Sequence, residues 1–157
     1  MRTVINDDVF IKKGFTISTD KDLLDMDMIY HYLHDESYWS KGIAVEKVEA
    51  SVQNSICFGI YKDGKQVGFA RVISDQAIFA YLCDVFILDE YRGLGLSKWL
   101  LQTILAYPDL QGLRRWLLAT ADAHSLYKQF GFEPINSPDR WMGIYTPFKT
   151  DEEKSGT

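Results

Sequence analysis

Apolar positions along the chain change period several times, and each change marks an element. Residues 15–18, Phe-Thr-Ile-Ser, suggest a short strand. Over residues 22–33, Leu24, Met28 and Tyr32 return at helical spacing, with Thr19 or Asp20 placed to cap the helix. An aromatic loop follows over residues 37–42, beginning Ser37-Tyr38-Trp39-Ser40. A second predicted helix, 44–53, carries Val45, Val48 and Val52 on one face. The pattern then becomes β-rich: residues 56–62 and 66–74 meet at Asp63-Gly64, a strong hairpin signal. Residues 78–88 are almost continuously apolar. Periodicity alone does not separate them from a buried helix, but their β-branched and aromatic content favours a central strand with a bend or bulge.

A third helix is predicted from Gly95 to just before Pro108. Leu96, Trp99, Leu100, Thr103, Ile104 and Tyr107 form its apolar face. Residues 116–121 suggest a buried strand, and 123–130 a short helix ended by Gly131. Ile135 and residues 141–145 supply one or two closing strands. The order is strand, two helices, three strands, helix, strand, helix, strand, which predicts an α+β fold with a mixed sheet. No repeat or linker divides the chain, so residues 1–150 are expected to form one domain. Residues 151–157 are expected to be a frayed polar tail.

Composition narrows the functional classes. At 157 residues, with 46% hydrophobic and 25% charged residues, the chain is long and apolar enough to build a core, which excludes a wholly disordered protein. A net charge of −5 provides no basic face for nucleic acid, yet leaves room for one local anion site. No apolar run reaches membrane-spanning length, and the first 13 residues carry Asp7 and Asp8 without a signal-peptide core. A cytoplasmic location with no membrane partner is therefore expected. The two cysteines, Cys57 and Cys83, are too few for a redox motif or metal site and are expected to be small buried hydrophobes.

The informative segment is Asp89-Glu90-Tyr91-Arg92-Gly93-Leu94-Gly95-Leu96-Ser97-Lys98, between the apolar strand and the third helix. Glycines there permit a tight turn, and the first-turn N–H groups of a helix have no partners within it. With the helix dipole they suit a phosphate or diphosphate, and Arg92 and Lys98 add positive charge. A dinucleotide fingerprint would need glycine at Lys98, and the Walker spacing is absent. A plain turn capped by glycines is the alternative reading.

The run Arg92-Gly93-Leu94-Gly95-Leu96-Ser97 resembles the Gln/Arg-x-x-Gly-x-Gly/Ala motif of the GNAT superfamily of acyl-CoA N-acyltransferases. The preceding Val85-Phe86-Ile87-Leu88 is similar to the strand that leads into that motif. Downstream, Ala123-His124-Ser125-Leu126-Tyr127-Lys128-Gln129-Phe130-Gly131-Phe132 looks like the family's Ala-x-x-x-Tyr-x-x-x-Gly-Phe segment. Two positions depart from the pattern: Ser97 replaces the usual Gly or Ala, and Thr120 stands where Asn is frequent. The resemblance implies a mostly antiparallel mixed sheet splayed around its cofactor, with acetyl-CoA as cosubstrate and no metal. In this family an amine attacks the thioester carbonyl directly in a ternary complex. By resemblance, acetyl-CoA is bound by Phe86, Ile87 and Leu88, by Arg92, Gly93, Leu94, Gly95, Leu96, Ser97 and Lys98, and by Tyr127. Tyr127 is also the implied general acid for the departing thiolate, since phenol and thiol pKa values are close; a packed aromatic bonded to backbone is the plainer reading. A primary amine as acceptor and a homodimer are further implications.

The residues themselves leave other roles open. Asp84, a lone carboxylate in the apolar strand, suits a base or substrate anchor, or else a structural partner for Arg71 or a bulge. His124 has a suitable intrinsic pKa three residues before Tyr127, or is simply exposed at a helix start. Tyr30, Tyr38 and Trp39 suit an aromatic acceptor wall, or ordinary packing. His31, His34 and Asp35 lack a further nearby histidine and fit an exposed helix end better than a metal site. An acyl-CoA-binding module without transfer activity is the alternative function. The identity of the acceptor is not readable from the chain.

Overall fold

A computed structural model describes residues 4–156. Its centre is a five-stranded sheet in the order β1-β2-β3-β4-β5, comprising Phe15–Ser18, Ile56–Lys62, Lys65–Ser74, Phe79–Ile87 and Arg115–Leu117. The first four strands pair antiparallel, and β4 pairs with β5 in parallel. The mixed α+β architecture expected from the order of elements is the one observed.

Both sheet faces are covered, so β2 and β3 are buried almost throughout. One face carries Phe58, Ile60, Val72 and Leu82 against α4 (Leu96–Leu105), whose Trp99, Leu100 and Ile104 form the expected stripe. The other carries Cys57, Phe69 and Phe86 against α2 (Met26–His31) and α3 (Val45–Gln53). Cys57 is accordingly a buried hydrophobe. Asp63 and Gly64, both at positive φ, close the β2–β3 hairpin. A short α1 (Asp7–Ile11), capped by Asn6, stacks Phe10 on Trp99 with ring centroids 4.6 Å apart.

Four expectations need correction. The helix expected over residues 22–33 is broken. Asp20 caps a 3-10 turn (Lys21–Leu23), and Asp25 then caps α2 by accepting from Met28 N. Carboxylates that bond nearby backbone favour caps over helix interiors, and two in succession stop one continuous helix. The chain then continues as a π-helix (Tyr32–Glu36), which absorbs an extra residue at the end of α2. The strand expected over 116–121 ends at Leu117, because the chain turns away from β4 there.

No closing strand forms at Ile135 or over residues 141–145. Ser137 is in the left-handed region, Pro138 begins a 3-10 turn (Pro138–Arg140), and prolines 134, 138 and 147 cannot donate to a ladder. The polar tail contains a short α6 (Asp151–Ser155) with a Thr150–Glu153 capping box.

Candidate active site

The predicted bend in the long apolar strand positions the site. Phe69 pairs with Phe86 and Arg71 with Cys83, so β4 holds one extra residue there. Asp84 takes a φ of 52°, an αL geometry open to Asp but strained for most side chains. β4 and β5 also separate: their register runs only from Phe79↔Arg115 to Tyr81↔Leu117, whereas β4 continues to Ile87. From Leu82 onward, the edge of β4 that would face β5 therefore has no strand beside it. The splayed strands open a cleft of about 730 Å³, walled by the residues after β5, by Leu126 and Tyr127 of α5 (His124–Lys128) and by the π-helix with its loop.

At one end, Gly93 and Gly95 have φ of 80° and 85°, turning the chain into α4. No side chain caps this helix, so its first-turn N–H groups lack both intrahelical and capping partners. Ser97 lines the cleft beside them. Arg92 donates from Nε to the Ile87 carbonyl at 3.0 Å and from Nη2 to the Tyr32 hydroxyl at 3.0 Å. It thereby ties the turn to the strand end and to the π-helix. Tyr32 stacks on Phe86 at 3.8 Å, and burial raises its pKa against the opposing pull of Arg92.

At the bulge, Asp84 is buried and both of its oxygens are held. Oδ1 accepts from Trp39 Nε1 at 2.9 Å, and Oδ2 from Arg71 Nε at 2.8 Å. Arg71 also donates from Nη1 to Ser55 Oγ at 3.1 Å. Across the cleft, Tyr38 accepts from Ala121 N at 2.9 Å, closing a bridge between two chain segments.

Tyr127 is 9% exposed, and its ring meets Phe132 edge-on at 5.9 Å. Among the described residues, no protein group bonds its hydroxyl. Burial, reinforced by Tyr38 and Asp122, pushes its pKa up to about 12. Cys83 shares the cleft, and burial pushes its thiol to about 12 as well.

The cleft thus gathers Asp84, Phe86, Ile87, Arg92, Ser97, Tyr127, Tyr38 and Trp39. Other named residues lie outside its lining. Leu96 points into the core, Gly93, Leu94 and Lys98 are exposed, and Leu88 donates its N–H to the Val67 carbonyl. His124 is exposed on the first turn of α5. Tyr30 packs instead on His31 and His34. Sequence reasoning missed Tyr32, Glu36, Tyr81 and Asp122 as lining residues; Tyr32 fitted the apolar face of a helix, and nothing in its spacing linked it to Arg92. Among the described residues, no three His, Cys, Asp or Glu side chains are placed to hold a metal, and no helix is long and apolar enough to cross a membrane.

Comparison with known proteins agrees with this geometry. Residues 26–132 match the model of the acetyltransferase (GNAT) family. A Gibberella zeae protein named as an acetyltransferase is 32% identical over 153 residues, covering 83% of this chain and 85% of its own. A Pyropia yezoensis protein named as an uncharacterized N-acetyltransferase is 35% identical over 124 residues, covering 72% of this chain and 67% of its own. A crystal structure from Xanthomonas campestris, described as a GNAT-family acetyltransferase, superposes with a TM-score of 0.85 at 49% identity, covering 87% of this chain and 96% of that one.

Proposed function

Since the chain belongs to the GNAT acetyltransferase family, we propose that it transfers an acetyl group from acetyl-CoA to a primary amine held in the cleft between β4 and β5. One observation carries this reading. Tyr127, a residue only 9% exposed whose hydroxyl has no protein partner among the described residues, shares a cleft with the uncapped N-terminus of α4.

The residues present fit acetyl-CoA. The first-turn N–H groups of α4 and the helix dipole suit its diphosphate. At Gly93, a Cβ would meet no heavy atom within 4 Å, so that side of the turn is open. The unpaired edge of β4 past Leu82 offers backbone groups to an extended amide-bearing chain. When bound, acetyl-CoA supplies an electrophilic thioester carbonyl and a thiol leaving group.

The chain's own residues then hold and move protons. Tyr127 keeps its proton at Oη and gives it to sulfur as the carbon–sulfur bond breaks. A phenol at about 12 would be a poor acid for an ordinary thiol. Burial would raise a leaving thiol held in the same cleft in the same direction as it raises Cys83, which narrows the gap between donor and acceptor. Asp84, fixed by Trp39 and Arg71, retains free lone pairs and orients the acceptor's amino group. That group gives up one proton to solvent to become the nucleophile, and a second to the Tyr127 phenolate once the amide bond has formed. Glu36 and Asp122 add negative charge to the cleft, favouring a cationic acceptor.

The test is acetyl transfer to a panel of amines, with products identified by mass spectrometry after calorimetry has established acetyl-CoA binding. Acetylated amine is expected. Binding without transfer to any amine, or acetylation confined to hydroxyl acceptors, would overturn the reading.

A further inference from the structure

Two carboxylates that line the cleft have no counter-ion. Asp84 is neutralised by Arg71 at 2.8 Å, and Arg92, which alone among the lining residues is basic, by Asp89 at 2.8 Å. Glu36 and Asp122 are exposed at the cleft and form no ion pair among the described residues. Their charges are left uncompensated.

The fold brings these two together. Glu36 ends the π-helix two residues before Tyr38, and Asp122 directly follows Ala121. The Tyr38 hydroxyl accepts from Ala121 N at 2.9 Å across 83 positions, so the bridge sets one carboxylate within two residues of each of its ends. An unpaired polar group faces the same space. Tyr127 is 9% exposed, no protein group among the described residues bonds its hydroxyl, and burial, then the nearby Tyr38 and Asp122, raises its pKa.

Between Asp84 and the bridge the wall is aromatic. Trp39 donates to Asp84 Oδ1 at 2.9 Å and meets Tyr38 edge-on, with ring centroids 5.0 Å apart. Tyr81 lines the cleft as well. Aromatic faces suit methylene groups and attract cations.

We propose that the acceptor is a diamine or oligoamine, in which Glu36 and Asp122 hold a second, protonated amino group while the reacting nitrogen lies at Asp84. The methylene chain between them runs along Trp39 and Tyr38 to the bridge. A monoamine would leave both carboxylates unpaired. A carboxylate or phosphate at the far end of the acceptor would set like charges together. The two nitrogens differ in protonation: the reacting one must be neutral to attack, whereas an aliphatic amine near the lysine value of about 10.4 stays charged at the bridge. Selection therefore falls on the distal charge. This assignment deepens the acetyl-transfer reading and rests on it.

The test compares kcat/KM for three straight-chain acceptors of equal length: the four-carbon diamine, the four-carbon monoamine and the four-carbon ω-amino acid. An exposed ion pair is worth up to about five-fold. With two such pairs, the diamine is expected to exceed the monoamine by about ten-fold, well above the two-fold that follows from its two reactive ends. The ω-amino acid should be the poorest acceptor. In Glu36→Gln/Asp122→Asn the ratio of diamine to monoamine should fall to near two-fold. It should fall likewise in the wild type at about 1 M salt, where charges are screened beyond about 3 Å. Acetylation of none of the three would overturn both this assignment and the acetyl-transfer reading. Acetylation with a wild-type ratio near two-fold, or a larger ratio that survives the double variant or high salt, would overturn this assignment alone.

Discussion

Trp39 Nε1 donates a hydrogen bond to Asp84 Oδ1 at 2.9 Å, joining residues 45 positions apart. The contact fastens the aromatic loop to the strand bulge, so the two walls of the cleft share one carboxylate. Trp39→Phe keeps a ring near Tyr32 and Tyr38 but removes the donor. A hydrogen bond to a charged group contributes about 1.5–3 kcal/mol, so the acceptor KM is expected to rise about ten-fold or more. Acetyl-CoA affinity should stay unchanged. Steady-state kinetics alongside calorimetry separates the two.

Arg71 acts on stability more than on binding. Its Nε–Asp84 contact, 2.8 Å long, joins side chains only 15% and 8% exposed. Arg71→Met leaves a buried carboxylate without its counter-ion, and about 3 kcal/mol of stability should be lost. Urea denaturation measures it. Adding Asp84→Asn to the same chain should recover part of the loss, because the unpaired charge is then absent.

Tyr127→Phe should lower the single-turnover rate of acetyl transfer by about 10²-fold or more, the usual contribution of a positioned acid. Acetyl-CoA affinity should change less than two-fold, since the ring is retained. The hydroxyl's pKa is raised to about 12, so it stays protonated through neutral and mildly alkaline pH. The wild-type pH–rate profile should therefore show no alkaline limb from this group below about pH 11. An unchanged single-turnover rate in Tyr127→Phe would remove the assignment.

Tyr61 presents the opposite case. Its hydroxyl is buried with no partner among the described residues, and burial raises its pKa to about 12. Tyr61→Phe deletes an unsatisfied polar atom and should raise stability by about 1 kcal/mol or more. Thermal and urea unfolding both report it.

His34 links pH to the C-terminal helix. Its Nδ1 meets Asp35 at 2.6 Å and its Nε2 meets Asp151 of α6 at 3.3 Å, while Tyr30 packs on the ring and His31 also faces Asp35. The bond to Asp35 raises the His34 pKa above its ordinary 6.5; burial opposes, and Asp151 adds to the rise. A raised histidine pKa favours the charged, docked state. That contribution is full below pH 6.5 and is lost as pH rises through the raised value. Hydrogen exchange of residues 151–155, corrected for intrinsic rates, should show protection falling across that window, and His34→Gln should abolish the dependence.

Much of this protein is local, and the local part was legible in the sequence. The hairpin at Asp63-Gly64 is set by two turn residues, the α4 stripe by helical spacing, and the uncapped helix start by Gly93 and Gly95. The GNAT resemblance rested on short contiguous motifs for the same reason. Two of the broken expectations of regular structure also have local causes, in the capping carboxylates of Asp20 and Asp25 and the prolines after Phe132.

Tertiary structure alone decided which side chains meet. Asp84 as a lone carboxylate suits several roles, a partner for Arg71 at a bulge among them; only folding selects that pairing and puts Trp39 on the other oxygen. Tyr32 matched a helical core face until Arg92, 60 positions away, reached its hydroxyl. The cleft itself exists because β5 parts from β4 after Leu117, and strand divergence leaves no mark in hydrophobic period. Periodicity reports how one segment faces its surroundings. It holds no information about which distant segment supplies them, and contacts of that kind build the site.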